Sequence, residues 1–318
     1  MADDQQSLPE FPPPLAGFHG AEPPAPDWFK AAITVEPERG FVTVKGAQIE
    51  LLTWGERGKP GLLLIHGNTA HADWWSFVAP LLAHDYRVAA ISLSGMGASD
   101  WRETYDFETY ADEAHAGAQA AGLYDHGDKP VFIGHSFGGA NVFYSATRHP
   151  DRMKAAILVD TGFGGPPPAA EGFRAPETRT KPNRVYATLA DALARFRLMP
   201  PQSCRNAFIA DFIARRSLKP APREGGGEGW TWKFDPLLWQ KLDRVALSSL
   251  SAPEGAWAPM VHVYGDNSAV IHRFSGEAAR RVPENVPSFV IPDSEHHIMI
   301  DQPLALISAL RGLLLKWP

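Results

Sequence analysis

With 318 residues, 44% of them hydrophobic and 11% aromatic, the chain can bury the core of one large domain, or of one domain that carries an inserted subdomain. A formal net charge of −6 without a dense Lys/Arg cluster speaks against a nucleic-acid partner or an anionic membrane surface. The single cysteine, Cys204, excludes an internal disulfide and fits a reducing compartment.

Residues 1–30 are rich in proline, from Pro9 to Pro26, and lack periodicity. They read as an extended or partly disordered arm, laid along the body by Phe11, Phe18, Trp28 and Phe29. The first residues have neither the basic nor the apolar region of a signal peptide. No apolar run approaches the roughly 18 residues of a membrane span, so the expected location is cytoplasmic. Phe41 to Val44 and Ala47 to Trp54 pattern as a hairpin. Gly61 to His66 (GLLLIH) is a continuous apolar run, as in a strand buried on both faces. Asp73 to His84 has helical spacing, Tyr86 to Ser92 is a strand, and Phe107 to Gly122 is a helix. Val131 to Gly134 is again a strand, Gly138 to His149 a helix and Ala155 to Val159 a strand. Strands and helices in alternation imply a mostly parallel sheet with helices on both faces, an α/β fold.

The rhythm breaks at residue 162. Within the next 95 or so residues, Arg184 to Leu198, Gln202 to Ser217 and Leu237 to Leu250 pattern as helices, and Glu224 to Gly229 as a glycine-rich loop. The alternation returns with strands at Met260 to Tyr264 and Ser288 to Ile291. Helices are expected over Val270 to Arg281 and from about Pro303 to Lys316. The boundaries that follow are an arm (1–30), a core (31–161 and 259–318) and a mainly helical cap (162–258).

Chemistry enters at Gly134-His135-Ser136-Phe137-Gly138. A serine between two glycines at a strand-to-helix junction has the form of a nucleophile elbow, a turn so tight that flanking positions exclude a Cβ. A serine nucleophile needs a base and a carboxylate to orient that base. Two late histidines, His296 and His297, follow the last strand. His66-Gly67-Asn68-Thr69 follows the third strand, and Ser94-Gly95-Met96-Gly97-Ala98-Ser99-Asp100 the fourth.

Together these motifs resemble the α/β-hydrolase superfamily over about residues 40–318. The resemblance implies an eight-stranded sheet with strand two antiparallel and a lid after strand six, where the 162–258 insertion lies. It favours His296 as base, because Asp301 and Pro303 follow it at the family spacing. It leaves two candidates for the acid. The usual position, three residues beyond the strand-end glycine Gly265, holds Ser268. Asp266 lies one residue beyond that glycine, whereas Asp160 ends strand six beside the elbow strand, a site some relatives use. Asp160 is preferred, with Asp266 as the alternative. The N–H groups of Phe137 and Asn68 are the expected oxyanion hole, and His66 is expected to bond loop backbone.

Ser136 in place of a carboxylate nucleophile points to acyl transfer to water. The expected activity is therefore that of a serine hydrolase, carboxylesterase-like, on a small-to-medium, largely apolar ester. Hydrolysis of a C–C bond in a ring-cleavage product by the same three residues, or a ligand sensor with incidental turnover, are the alternatives. Trp74 and Trp75 beside the oxyanion loop, and Phe163, Trp230 and Trp232 in the cap, are candidates to line the pocket. Neither a metal nor a cofactor is implied. The expected partner is a small-molecule substrate, and the chain leaves a homodimer open.

Overall fold

The computed structural model describes residues 11–162, 182–243, 256–273 and 286–317. Its strands are β1 (Glu38–Val44), β2 (Ala47–Trp54), β3 (Gly61–Ile65), β4 (Arg87–Ile91), β5 (Val131–His135), β6 (Ala155–Val159), β7 (Leu218–Pro222), β8 (Glu228–Trp232), β9 (Met260–Gly265) and β10 (Ser288–Ile291). Eight of them form one sheet in the order β1-β2-β4-β3-β5-β6-β9-β10. β2 runs antiparallel to both its neighbours, and the remaining pairs are parallel.

Side chains on a strand alternate between faces, and the sheet sorts its own accordingly. Leu62, Leu64, Ile133, Ile157 and Val263 go to one core, and Leu63, Ile65, Phe132 and Leu158 to the other. Helices α2 (Phe107–Ala120) and α3 (Phe137–Arg148) cover the second core. The helix Pro303–Leu314 and the N-terminal arm pack on the first. All five residues of β3 are buried, which is why its sequence is apolar throughout.

Several elements differ from the sequence pattern. Asp73 to His84 is not one helix but two short 3₁₀ turns, Ala72–Trp75 and Ala79–Leu81. Pro80 has no N–H for an i→i−4 bond, and the backbone closes mainly i→i−3 bonds instead. The arm is not simply extended: Asp27–Ile33 is a helix, α1, whose Phe29 is buried against Phe77, Phe208 and Phe212.

Residues 182–243 hold a hairpin as well as helices. β7 and β8 pair antiparallel around a turn in which Gly225, Gly226 and Gly227 all have positive φ. Pro220 and Pro222 disguise β7 as a loop, although a two-stranded edge tolerates them. Only Leu189–Leu193 (α4) and Ala207–Arg216 (α5) are helical within the two longer stretches expected. Tyr186 instead bridges to Trp230, and Gln202 to Asn206 extend toward the loop that carries His296. Leu238–Lys241 and Ala269–Arg273 are helical. The rest of the helices expected over 237–250 and 270–281 lies largely outside the described residues.

The burial of Phe29 makes the arm part of the fold. Phe29→Ala is expected to lower unfolding stability by about 3 kcal/mol, read from the urea midpoint. A change under about 0.5 kcal/mol, typical of a surface site, would show that the arm is dispensable.

Candidate active site

In an open α/β sheet, ligands bind beyond the carboxyl ends of the strands where the chain reverses its winding. Here the chain runs from β3 outward to β4, then returns to place β5 on the other side of β3. The loops leaving β3 and β5 therefore flank one crevice. They are His66–Thr69 and the turn at Ser136.

Ser136 has φ 52 and ψ −116, a left-handed backbone that costs a non-glycine residue on the order of 1–3 kcal/mol. Its neighbours hold it there. A Cβ on Gly134 would run into the carbonyl of Gly138, and one on Gly138 into the carbonyls of Ile65 and His66. One on Gly139 would strike the Thr161 hydroxyl. Ser136 N–H donates to Val159 O at 2.9 Å, and Ser136 O accepts from Ala140 N–H at 3.0 Å. The turn is thus bolted to β6 on one side and starts α3 on the other, which leaves the side chain partly exposed.

His296 arrives from the loop after β10. Its Nε2 is 3.0 Å from Ser136 Oγ and its Nδ1 2.7 Å from Asp160 Oδ1. A carboxylate only accepts, so Nδ1 carries the proton and the Nε2 lone pair faces the serine hydroxyl. Asp160 lies at the end of β6, fully buried with φ 47. Its charge is well met: Oδ1 also accepts from Ser268 Oγ at 2.6 Å, and Oδ2 from Gly265 N–H at 2.9 Å. Asp266 is exposed, and its Oδ1 accepts from Ser294 N–H and the Asn267 amide.

The loop after β3 lies against the elbow. A Cβ on Gly67 would come within 3.4 Å of Ser136 Cβ and 2.9 Å of His135 Nδ1. His66 bonds loop backbone on both sides: Nε2 accepts from Leu93 N–H, and Nδ1–H donates to Gly67 O. Burial pushes its pKa down to about 4, so it is neutral. Burial likewise holds His135 and His297 well below the usual histidine range, with His296 adding to the effect.

The expected pocket residues separate. Trp75 is fully buried in the core, whereas Trp74 packs its ring 5.6 Å from that of His297. Trp230 and Trp232 are half-buried, and Trp232 meets Tyr186 and Phe196. Phe163 lies outside the described residues. Trp239, from the segment between β6 and β9, packs edge-on against Phe137 at 5.9 Å. Asn68 Oδ1 and Trp74 Nε1 are buried without a hydrogen-bond partner among the described residues. Three neighbours of the site had no role from sequence. Ser268 was legible as the residue at the usual acid position. His135 and Gln202 gave no comparable signal.

Among the described residues, no helix is long and apolar enough to cross a membrane. Nor does any group of three or more His, Cys, Asp or Glu side chains stand ready for a metal ion.

Comparison with known proteins agrees with this architecture. A family model for the alpha/beta hydrolase fold matches residues 60–303. The Mycobacterium tuberculosis esterase Rv0045c is 26% identical over 283 residues, 85% of this chain and 88% of the esterase. Lipase LipV of the same organism is 36% identical over 125 residues, 39% of this chain and 44% of the lipase. The chain thus spans less than half of the lipase's length. Among solved structures, the thioesterase domain from the curacin biosynthetic pathway superposes with a TM-score of 0.64 at 24% identity. The match covers 86% of this chain and 99% of that domain.

The close approach at the elbow yields a direct test. Gly138→Ala is expected to lower stability by about 1–3 kcal/mol, measured by chemical denaturation. An unchanged midpoint would mean that the start of α3 can shift away from the end of β3.

Proposed function

The chain belongs to the α/β hydrolase fold family, and from that premise we propose that it is a serine esterase acting through Ser136, His296 and Asp160 on small-to-medium, largely apolar esters. The observation that carries the proposal is the continuous hydrogen-bonded relay from Ser136 Oγ through both nitrogens of His296 to Asp160. In this mechanism His296 Nε2 takes the hydroxyl proton as Ser136 Oγ attacks the ester carbonyl carbon. The imidazolium so formed is stabilised by Asp160, which its other donors, Ser268 and Gly265, hold in place. The oxyanion of the tetrahedral intermediate is held by the N–H groups of Phe137 and Asn68. Protonation of the leaving alcohol by His296 gives the acyl-enzyme. Water, deprotonated by the same nitrogen, then releases the acid.

Residues 162–258 act in this reading as the lid, with Trp230 and Trp232 on the substrate side and Trp74 at the mouth of the oxyanion loop. Half-buried aromatic rings favour apolar acyl groups. The lone thiol takes no part: burial raises the Cys204 pKa to about 11, so it stays protonated.

The test is turnover of p-nitrophenyl acetate, butyrate and octanoate. Ser136→Ala is expected to abolish hydrolysis with the fold intact. Asp160→Asn should lose on the order of a thousandfold in kcat, because it removes the carboxylate that fixes the His296 tautomer. Asp266→Asn should stay within a few-fold of wild type. The opposite order would move the acid to Asp266, and tight ester binding with negligible turnover by the wild type would favour a sensor.

A further inference from the structure

The peptide unit that follows His296 is gripped at both of its polar ends. Its carbonyl, His296 O, accepts from His135 Nε2–H at 3.0 Å. Its N–H, that of His297, donates to Gln202 Oε1 at 2.8 Å. The two gripping side chains come from distant parts of the chain, one from inside the elbow and the other from the long insertion after β6.

Gln202 is buried, and both polar atoms of its amide are engaged. Oε1 also accepts from His297 Nδ1–H at 2.5 Å, and Nε2 donates to Asp301 Oδ2 at 2.9 Å. Asp301 Oδ2 in turn accepts from Glu295 N–H at 2.9 Å. The residues after Gln202 extend the grip. Ser203 donates through its N–H and Oγ–H to Glu295 Oε1, Arg205 pairs with Asp293, and Asn206 Nδ2 donates to Ile300 O at 2.7 Å. A single five-residue stretch thus holds both flanks of His296.

We infer that Gln202 is a positioning residue for the base: by fixing the 296–297 peptide plane, it sets where the His296 imidazole stands relative to Ser136. The inference rests on the reading of His296 as that base. Misplacing a catalytic group by about 1 Å costs on the order of a hundredfold in rate, and the side chain of His296 pivots on this peptide. Asp301 Oδ1 has no partner among the described residues, and burial raises the Asp301 pKa to about 6. The Gln202 donor is thus the side-chain contact that keeps this carboxylate in line.

Two variants test the role. Gln202→Leu removes all three hydrogen bonds of the Gln202 amide. It is expected to lower kcat roughly tenfold to a hundredfold while KM stays within about twofold. Gln202→Glu keeps the acceptor for His297 N–H but sets a second carboxyl against Asp301. The other groups facing Asp301 are Glu295, Arg205 and Cys204, with His297 bonded to the same amide. At low pH the two carboxyls share a proton and the grip survives. As the pH rises and that proton leaves, like charges repel and the contact opens. The ratio of Gln202→Glu kcat to wild-type kcat should therefore fall with rising pH. A ratio flat in pH, or a wild-type kcat in Gln202→Leu, would overturn the inference. Should Ser136→Ala keep its turnover, the serine reading itself fails. A dead Ser136→Ala beside a fully active Gln202→Leu removes only the positioning role.

Discussion

The site depends on one close approach: the start of α3 lies directly on the backbone that ends β3. Gly138 sits under the carbonyls of Ile65 and His66, and Gly134 under that of Gly138, so neither position has room for a side chain. This contact forces Ser136 into its left-handed backbone and turns its hydroxyl out of the sheet. Strain of this kind persists only where surrounding structure over-determines it. Here the hydrogen bond to Val159 and the packing of two buried strands supply that determination.

Once the hydroxyl is fixed, the remaining geometry follows from the sheet. β5 and β6 are parallel neighbours in register, with His135 opposite Val159. The residue after each strand therefore emerges at the same level, Ser136 from one and Asp160 from the other, and His296 enters between them. Ser268, at the position where the family resemblance leads one to expect the acid, supplies a hydroxyl donor to Asp160. A carboxylate at that position would bring a second negative charge against a fully buried one, so the serine is the compatible choice beside Asp160.

Much of this was legible in the sequence because it rests on local constraints. GLLLIH and VFIGH are apolar because those strands are buried on both faces, and the glycines around Ser136 report backbone crowding. The eight-stranded sheet with its reversed second strand followed from the family resemblance. What stayed hidden depends on distant partners. The β7–β8 hairpin had no sequence reading: it forms although β7 carries Pro220 and Pro222, because β7 has a single partner and needs no N–H from them. Asp73 to His84 has helical apolar spacing, but Pro80 and the burial of both tryptophans settle for two short turns. Gln202 looked like an ordinary helical glutamine. Only folding shows its amide spent on His297 and Asp301, almost a hundred residues away.

In the proposed mechanism His296 makes the Ser136 hydroxyl nucleophilic. Reaction with a fluorophosphonate, followed by peptide mapping, tests it without any knowledge of the substrate. One phosphonyl adduct per chain is expected, on Ser136, with labelling slowed by orders of magnitude in His296→Ala. An adduct on another residue, or labelling of Ser136 at the wild-type rate without His296, would contradict it.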